Sequence, residues 1–256
     1  MINLYESVMN PRHQSTYSQR AKLGLIVPPT NTVNEAEWAR MVPGGVTVHS
    51  HRMKLHADTD SAAGRAALMN DLDEAVSMLA QSGADAIAYA CTAGSMVTPA
   101  QSLPDALSER TGQSCVTTSA AIVAALNALG ARKLSVATPY ADKLNAHETG
   151  FLENHGFEVL KLVGLGIGAG GPSEYPLIAR TPLEQVKAHA KASFVAGSDA
   201  LLITCTDFPT LPLVTELERE LGVPVVTSNQ ATFWAMLRTV GLTDTFDAFG
   251  RLLADH

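Results

Sequence analysis

Two cysteines in this chain occupy the same place in two closely similar stretches. Residues 83–92 read Gly-Ala-Asp-Ala-Ile-Ala-Tyr-Ala-Cys-Thr and residues 197–206 read Gly-Ser-Asp-Ala-Leu-Leu-Ile-Thr-Cys-Thr, with Gly, Asp, Ala, Cys and Thr in register. A cysteine is a nucleophile or a carbon base only as its thiolate, and at an ordinary pKa of about 8.5 it is mostly protonated at neutral pH. A working thiol therefore needs neighbours that favour its charge. Cys91 and Cys205 each end an apolar run, with threonine and a turn following. Backbone N–H groups and a helix start can supply that help there. A single strand-end cysteine is ordinarily packing, because cysteine is among the most buried residue types. Two in register point instead to a site with one sulfur on each side of a small substrate. Cys115 lies in an apolar run without the flanking threonine and belongs to the core.

The elements that must position these thiols are duplicated too. Lys-Leu-Gly-Leu-Ile-Val-Pro-Pro at 22–29 parallels Lys-Leu-Ser-Val-Ala-Thr-Pro-Tyr at 133–140, each a strand that stops at proline where a polar loop begins. Thr117-Thr118-Ser119-Ala120 and Val226-Thr227-Ser228-Asn229 likewise match, at strand ends before helices. Between these come helical patterns at 61–80, 141–154 and 182–197, the last opened by a capping box of Thr181 and Glu184 around Pro182. Strands alternating with helices predict an α/β fold of two pseudo-symmetric Rossmann-like lobes, each a parallel doubly wound sheet. Ligand-binding residues of such sheets collect at strand carboxyl ends, so the site falls in the cleft between the lobes. The expected division is 21–118 plus 228–256 for the first lobe and 119–227 for the second, with 1–20 as an amino-terminal arm. Residues 164–180 read as a glycine-containing loop, a lid over the site.

Composition narrows the partner. With 18 basic and 25 acidic residues among 256, the formal charge is −7, which offers no general attraction to nucleic acid or anionic lipid. A small molecule is the expected ligand. Three cysteines without a close-set pair signal neither a disulfide framework nor a zinc ribbon. No apolar run is long enough to span a bilayer, and the expected location is the cytoplasm. His49, His51 and His56 lack a completing cysteine or carboxylate and are read as surface or packing residues. Gly166, Gly168, Gly170 and Gly171 lack the spacing of a dinucleotide loop. Asp85 and Asp199 are read as turn formers, and Trp38, Phe233 and Trp234 as core or subunit contacts.

Taken as a set, Gly24-Leu25-Ile26-Val27-Pro28-Pro29, Cys91-Thr92, Thr138-Pro139-Tyr140 with Asn145, Leu165-Gly166-Ile167, Cys205-Thr206 and Gly222-Val223-Pro224-Val225-Val226 resemble the aspartate/glutamate racemase superfamily. The similarity is to its branch of maleate cis-trans isomerases and arylmalonate decarboxylases, and covers roughly 22–240. The resemblance implies catalysis without metal or cofactor, and a homo-oligomer. It also implies a nucleophilic role for Cys91, an acid/base role for Cys205, and carboxylate contacts from Asn31 and Tyr140. Thr92, Thr206 and Asn145 join these as substrate-binding residues. Decarboxylases of the branch resemble this chain except for glycine where Cys91 stands, so two thiols favour cis-trans isomerisation of maleate or a close analogue. Racemisation of an amino acid or related carboxylate, decarboxylation, and non-catalytic carboxylate binding are the alternatives. The isomerases carry an asparagine after the second Leu-Gly-Ile, whereas 168–180 here offers Ser173, Glu174 and Tyr175.

Overall fold

The computed structural model describes residues 11–56 and 61–256; of the predicted arm, 1–10 lie outside the described residues. The first repeat contains β1 (Ala21–Val27), α1 (Asn34–Met41), β2 (Val46–Arg52), α2 (Ala62–Ala80), β3 (Ala86–Tyr89), α3 (Thr92–Ser95), α4 (Ser102–Thr111) and β4 (Cys115–Thr117). After α5 (Thr118–Ala128) the second repeat runs through β5 (Lys133–Tyr140), α6 (Asp142–Asn154), β6 (Glu158–Ile167), α7 (Pro176–Ala179), α8 (Leu183–Ser193), β7 (Ala200–Ile203), α9 (Val214–Leu221) and β8 (Val225–Thr227). The chain closes with α10 (Ser228–Thr239) and α11 (Arg251–Asp255).

Among the described residues these strands form two four-stranded sheets, ordered β2-β1-β3-β4 and β6-β5-β7-β8, with every pairing parallel. The identical order is the duplication seen in sequence, and it puts the two cysteines after equivalent strands, β3 and β7. Both strands are buried along their whole length, as parallel strands covered on two faces must be. Close approach within the first sheet needs Gly24, where a Cβ would stand 2.8 Å from the Ile87 side chain on β3.

Asp85 and Asp199 do equivalent work just before these strands. Asp85 Oδ2 accepts the Lys22 N–H at 2.8 Å, and Asp199 Oδ2 accepts the Lys133 N–H at 2.7 Å and the Arg132 N–H at 2.9 Å. They are more than turn formers, because each anchors the start of the strand next door. Asp85 also receives the amino-terminal segment, with His13 Nε2 at 2.8 Å, while Arg12 donates to the Val240 carbonyl at 2.6 Å. Residues 11–20 are thus fastened across the first sheet and α10.

One apolar core passes through both repeats, from Leu23 and Leu25 through Ile122 and Leu126 to Leu134, Phe233 and Leu237. Smaller clusters lie outside each sheet, one under α2 and α4 and one under α8 and α9. Helix α10 is the seam. Its Phe233 packs edge-on against Trp38 of α1 with centroids 5.3 Å apart, and Trp38 Nε1 donates to the Asn229 carbonyl at 3.1 Å.

The region after β5 differs from expectation in two ways. Strand β6 continues to Ile167, so the first four residues of the expected loop are sheet, and the remainder includes a 3-10 turn at Pro172–Glu174 and α7. Glu174 replaces free loop with structure by accepting the N–H groups of Gly168 and Gly170 at 2.8 and 3.1 Å. The capping box at Thr181 does not form. Thr181 Oγ1 donates backwards to the Leu177 carbonyl at 3.3 Å, and Pro182 stands at the cap position. The carbonyl left over by α7 competes for the hydroxyl and wins.

Candidate active site

Cys91 and Cys205 line a single cavity of about 390 Å³ between the two sheets' carboxyl ends. Asn31, Thr92, Tyr140 and Thr206 line it as well, together with Tyr89, Gly94, Asp207, Lys143, His147, Ile167 and Tyr175. Asn145 does not reach it. Its side-chain N–H donates to the Tyr140 carbonyl at 3.0 Å and its Oδ1 accepts the Thr138 hydroxyl at 2.6 Å. Asn145 therefore fixes the backbone that carries Tyr140 rather than lining the cavity itself.

Each thiol has a tyrosine and a backbone N–H. Cys91 caps α3, its sulfur accepting the Gly94 N–H at 3.3 Å, and the Tyr89 hydroxyl donates to the same sulfur. Cys205 receives the Tyr140 hydroxyl and the Asp207 N–H. Tyr89 was not singled out from the sequence, although the signal exists: it stands two residues before Cys91, and a spacing of two puts side chains on one face of a strand. The position equivalent to Tyr89 in the second repeat is Ile203. The tyrosine for that thiol comes from the end of β5.

Electrostatics separate the two sulfurs. Burial pushes the Cys205 thiol up to about 12; the Tyr140 hydroxyl and Asp207 N–H pull the other way, while the Asp207 carboxylate and Cys91 add to the rise. Burial raises Cys91 too, against the pull of the Gly94 N–H and the Tyr89 hydroxyl. Both tyrosines are held well above the usual phenol range, first by burial and then by the sulfurs they face, so they act as donors. Asp207 is itself lifted to about 6 by burial, despite accepting the Thr32 and Val33 N–H groups.

The loops carrying the thiols are tied to each other across the cleft. Thr206 Oγ1 donates to the Ala90 carbonyl at 3.1 Å and accepts the Asn31 amide at 3.0 Å. Ser228 Oγ accepts the Cys205 N–H at 3.0 Å and lies 2.9 Å from Thr92 Oγ1. The two threonine hydroxyls, expected to meet substrate, are thus engaged in holding the halves in register. Asn31 keeps more freedom. Its Oδ1 accepts the Val33 and Asn34 N–H groups, one amide hydrogen goes to Thr206, and the second hydrogen remains for a ligand. Glu37 extends the tie, its buried carboxylate accepting the N–H groups of Thr210 and Leu211 and the amide of Asn229.

Among the described residues no group of three or more His, Cys, Asp or Glu side chains is placed to hold a metal ion. His49 lies 3.0 Å from the Thr47 hydroxyl, and His56 lies 3.0 Å from Asp71. No helix among the described residues is long and apolar enough to cross a membrane.

A duplicated parallel α/β scaffold with two thiols lining one small cleft defines a class of two-lobed enzymes that work on compact substrates by sulfur chemistry. Within that class the chain belongs to the arylmalonate decarboxylase family, whose model matches residues 23–253. It is 32% identical to the maleate isomerase of Nocardia farcinica over 91% of this chain and 95% of that protein. To the arylmalonate decarboxylase of Bordetella bronchiseptica it is 31% identical over 86% and 90%. The fold superposes with a TM-score of 0.80 and 30% identity on a cysteine-to-serine mutant of the Nocardia farcinica maleate cis-trans isomerase with a covalently bound succinylcysteine intermediate, covering 92% of this chain and 99% of that one.

Proposed function

We propose that this protein is a two-thiol isomerase that interconverts the cis and trans forms of a small unsaturated dicarboxylate, with maleate to fumarate as the reaction. The observation that carries this reading is the placement of Cys91 and Cys205 in one cavity, both thiols raised by burial and Cys205 to about 12. Relatives that bear the name maleate isomerase, and the succinylcysteine in one of their structures, support it.

Rotation about a carbon–carbon double bond is prohibitive, so the bond must become single for a time. The Cys91 thiolate adds to one alkene carbon, forming a C–S bond as the π pair moves to the neighbouring carbon and its carboxylate. Cys205, protonated at neutral pH, gives its proton to that carbon. Rotation about the new single bond follows. The Cys205 thiolate then recovers the proton, the double bond re-forms, and the C–S bond breaks to restore Cys91. The free Asn31 N–H and the Tyr140 O–H receive the carboxylates and the enolate charge. A carboxylate is a stronger acceptor than a neutral thiol, so substrate draws the Tyr140 hydrogen away from Cys205.

We assign Cys91 and Cys205 as catalytic and Asn31 and Tyr140 as substrate-binding; Thr92 and Thr206 contribute by fixing the loops. The lobe division at 118/119 and 227/228 follows the repeat. Reduced thiols suit the cytoplasm, and the family similarity carries the expectation of a homo-oligomer. Proton NMR on maleate in deuterated water tests the reaction. New fumarate signals are expected, and Cys91→Ser and Cys205→Ser should each abolish them without loss of fold. Full turnover in both variants would end the assignment. α-Deuteration of amino acids without maleate turnover identifies a racemase instead, and ligand-induced stabilisation alone a carboxylate binder.

A further inference from the structure

Tyr89 occupies the cavity wall at the carboxyl end of β3, and its ring is almost completely buried beside Cys91 in the outer core of the first sheet. A buried tyrosine hydroxyl needs a hydrogen-bond partner, and a phenol can serve a sulfur as donor. Gly94 shows how tightly the hydroxyl is placed. A Cβ at Gly94 would stand 3.1 Å from Cys91 Sγ and would overlap the Tyr89 hydroxyl. The space between the helix backbone, the phenol and the sulfur therefore admits no side chain at all. Gly94 has an ordinary backbone conformation, outside the positive-φ glycines, so no turn geometry calls for glycine there. What the absent Cβ makes room for is the contact of hydroxyl with thiol.

We propose that Tyr89 is a further catalytic residue, whose hydroxyl donates to Cys91 Sγ and stabilises the thiolate, and that Gly94 is the residue that lets it reach. The two donors converge on one atom, the phenol from the strand and the Gly94 N–H from the turn. Hydrogen bonds to a charged group are the strong ones, and this one exists in full only when the sulfur is ionised. The assignment concerns the reacting sulfur alone and holds whatever the substrate turns out to be.

The test is alkylation of Cys91 by iodoacetamide, followed at Cys91 by peptide mass spectrometry from pH 6 to pH 11. Tyr89→Phe keeps the buried ring and removes only the hydroxyl. Losing one hydrogen bond to a thiolate moves the midpoint of the profile upward by about one to two pH units. Alkylation at neutral pH then slows about 10- to 100-fold, and the parent's curve bends toward its plateau at a lower pH than the variant's. A residue that merely packs would leave the midpoint in place. Gly94→Ala, which pushes the hydroxyl off the sulfur, should move the midpoint the same way, and it carries the test if Tyr89→Phe fails to fold. An unshifted midpoint in the folded variant overturns the assignment, as does an unchanged rate at neutral pH.

Discussion

Replacing Glu148 by glutamine should flatten the dependence of stability on pH. Glu148 lies on α6, fully buried, with its Oε2 accepting the Thr204 hydroxyl at 3.1 Å. Burial raises its pKa from the ordinary 4.5 to about 7, with Thr204 pulling weakly the other way. The sign follows from proton counting. Between these two values the folded protein keeps a proton that the unfolded chain has released, so the folded state loses relative stability as pH rises through the window. A separation from 4.5 to about 7, at about 1.4 kcal/mol per unit, amounts to about 3 kcal/mol lost by pH 8 compared with pH 4. Glu148→Gln keeps an oxygen for Thr204 and cannot ionise. Its amide is a new buried donor, a cost that is the same at every pH, so the informative quantity is the change in the difference between variant and parent. For a chain of this size about 3 kcal/mol corresponds to about 6–12 °C in Tm. Differential scanning calorimetry of both proteins at half-unit intervals from pH 4 to pH 8 reads it directly. The variant should gain on the parent progressively above pH 4.5. Other groups such as Asp207 titrate in both proteins and cancel. A Tm difference that stays flat across the series refutes the argument that Glu148 is buried without adequate support for its charge.

Two further outcomes follow from the second thiol. Cys205 has φ of 91°, a left-handed conformation that costs a side-chain-bearing residue about 1–2 kcal/mol and glycine almost nothing. Cys205→Gly should therefore unfold at a Tm several degrees above Cys205→Ala, both without turnover, and equal Tm values would contradict the strain. Asp207→Asn keeps an acceptor for the Thr32 N–H while deleting the carboxylate that helps hold the Cys205 thiol up. Alkylation of Cys205 should then have a lower pH midpoint than in the parent, and an unchanged midpoint would remove Asp207 from the account.

The sequence carried the scaffold because the scaffold is repeated. Two copies of one strand-and-thiol motif, with matching strand starts at Lys22 and Lys133, made the equivalence of β3 and β7 legible before any coordinates. Periodicity also placed the thiols at strand ends. What it could not show was which hydrogen bonds are already spent. Thr92 and Thr206 line the cavity with hydroxyls already bonded to the opposite repeat, and Asn145 lies outside the lining, bonded to the backbone of Tyr140. Those partners lie up to 136 residues away, beyond the reach of local pattern. Tyr89 was missed for another reason. Its repeat partner is Ile203, so symmetry pointed to an apolar wall, and only the cavity shows that the tyrosine serving Cys205 enters from β5 instead.

That broken symmetry matters for the chemistry. A perfectly duplicated site would give both sulfurs the same proton affinity, and addition followed by protonation needs one sulfur bare and one protonated. Here burial raises both thiols and both receive a phenol and an N–H, but Cys205 alone has a carboxylate, Asp207, two residues along its own turn, and is pushed up to about 12, which makes it the proton carrier of the pair. The backbone repeat fixes where the sulfurs stand; the unrepeated side chains decide what each does. The ties through Thr206 to Ala90, and through Ser228 to Thr92 and Cys205, join the two thiol loops directly. Ties of this kind favour a rotation made within the substrate over one made by moving the lobes. In the proposed mechanism the substrate makes it, by swinging its free carboxylate arm while the other end remains bonded to Cys91. A diacid of eight non-hydrogen atoms takes at most about 240 Å³ when each is given the roughly 30 Å³ share of a water, and the cavity offers about 390 Å³. The room in excess of the ligand is what the swinging arm sweeps through.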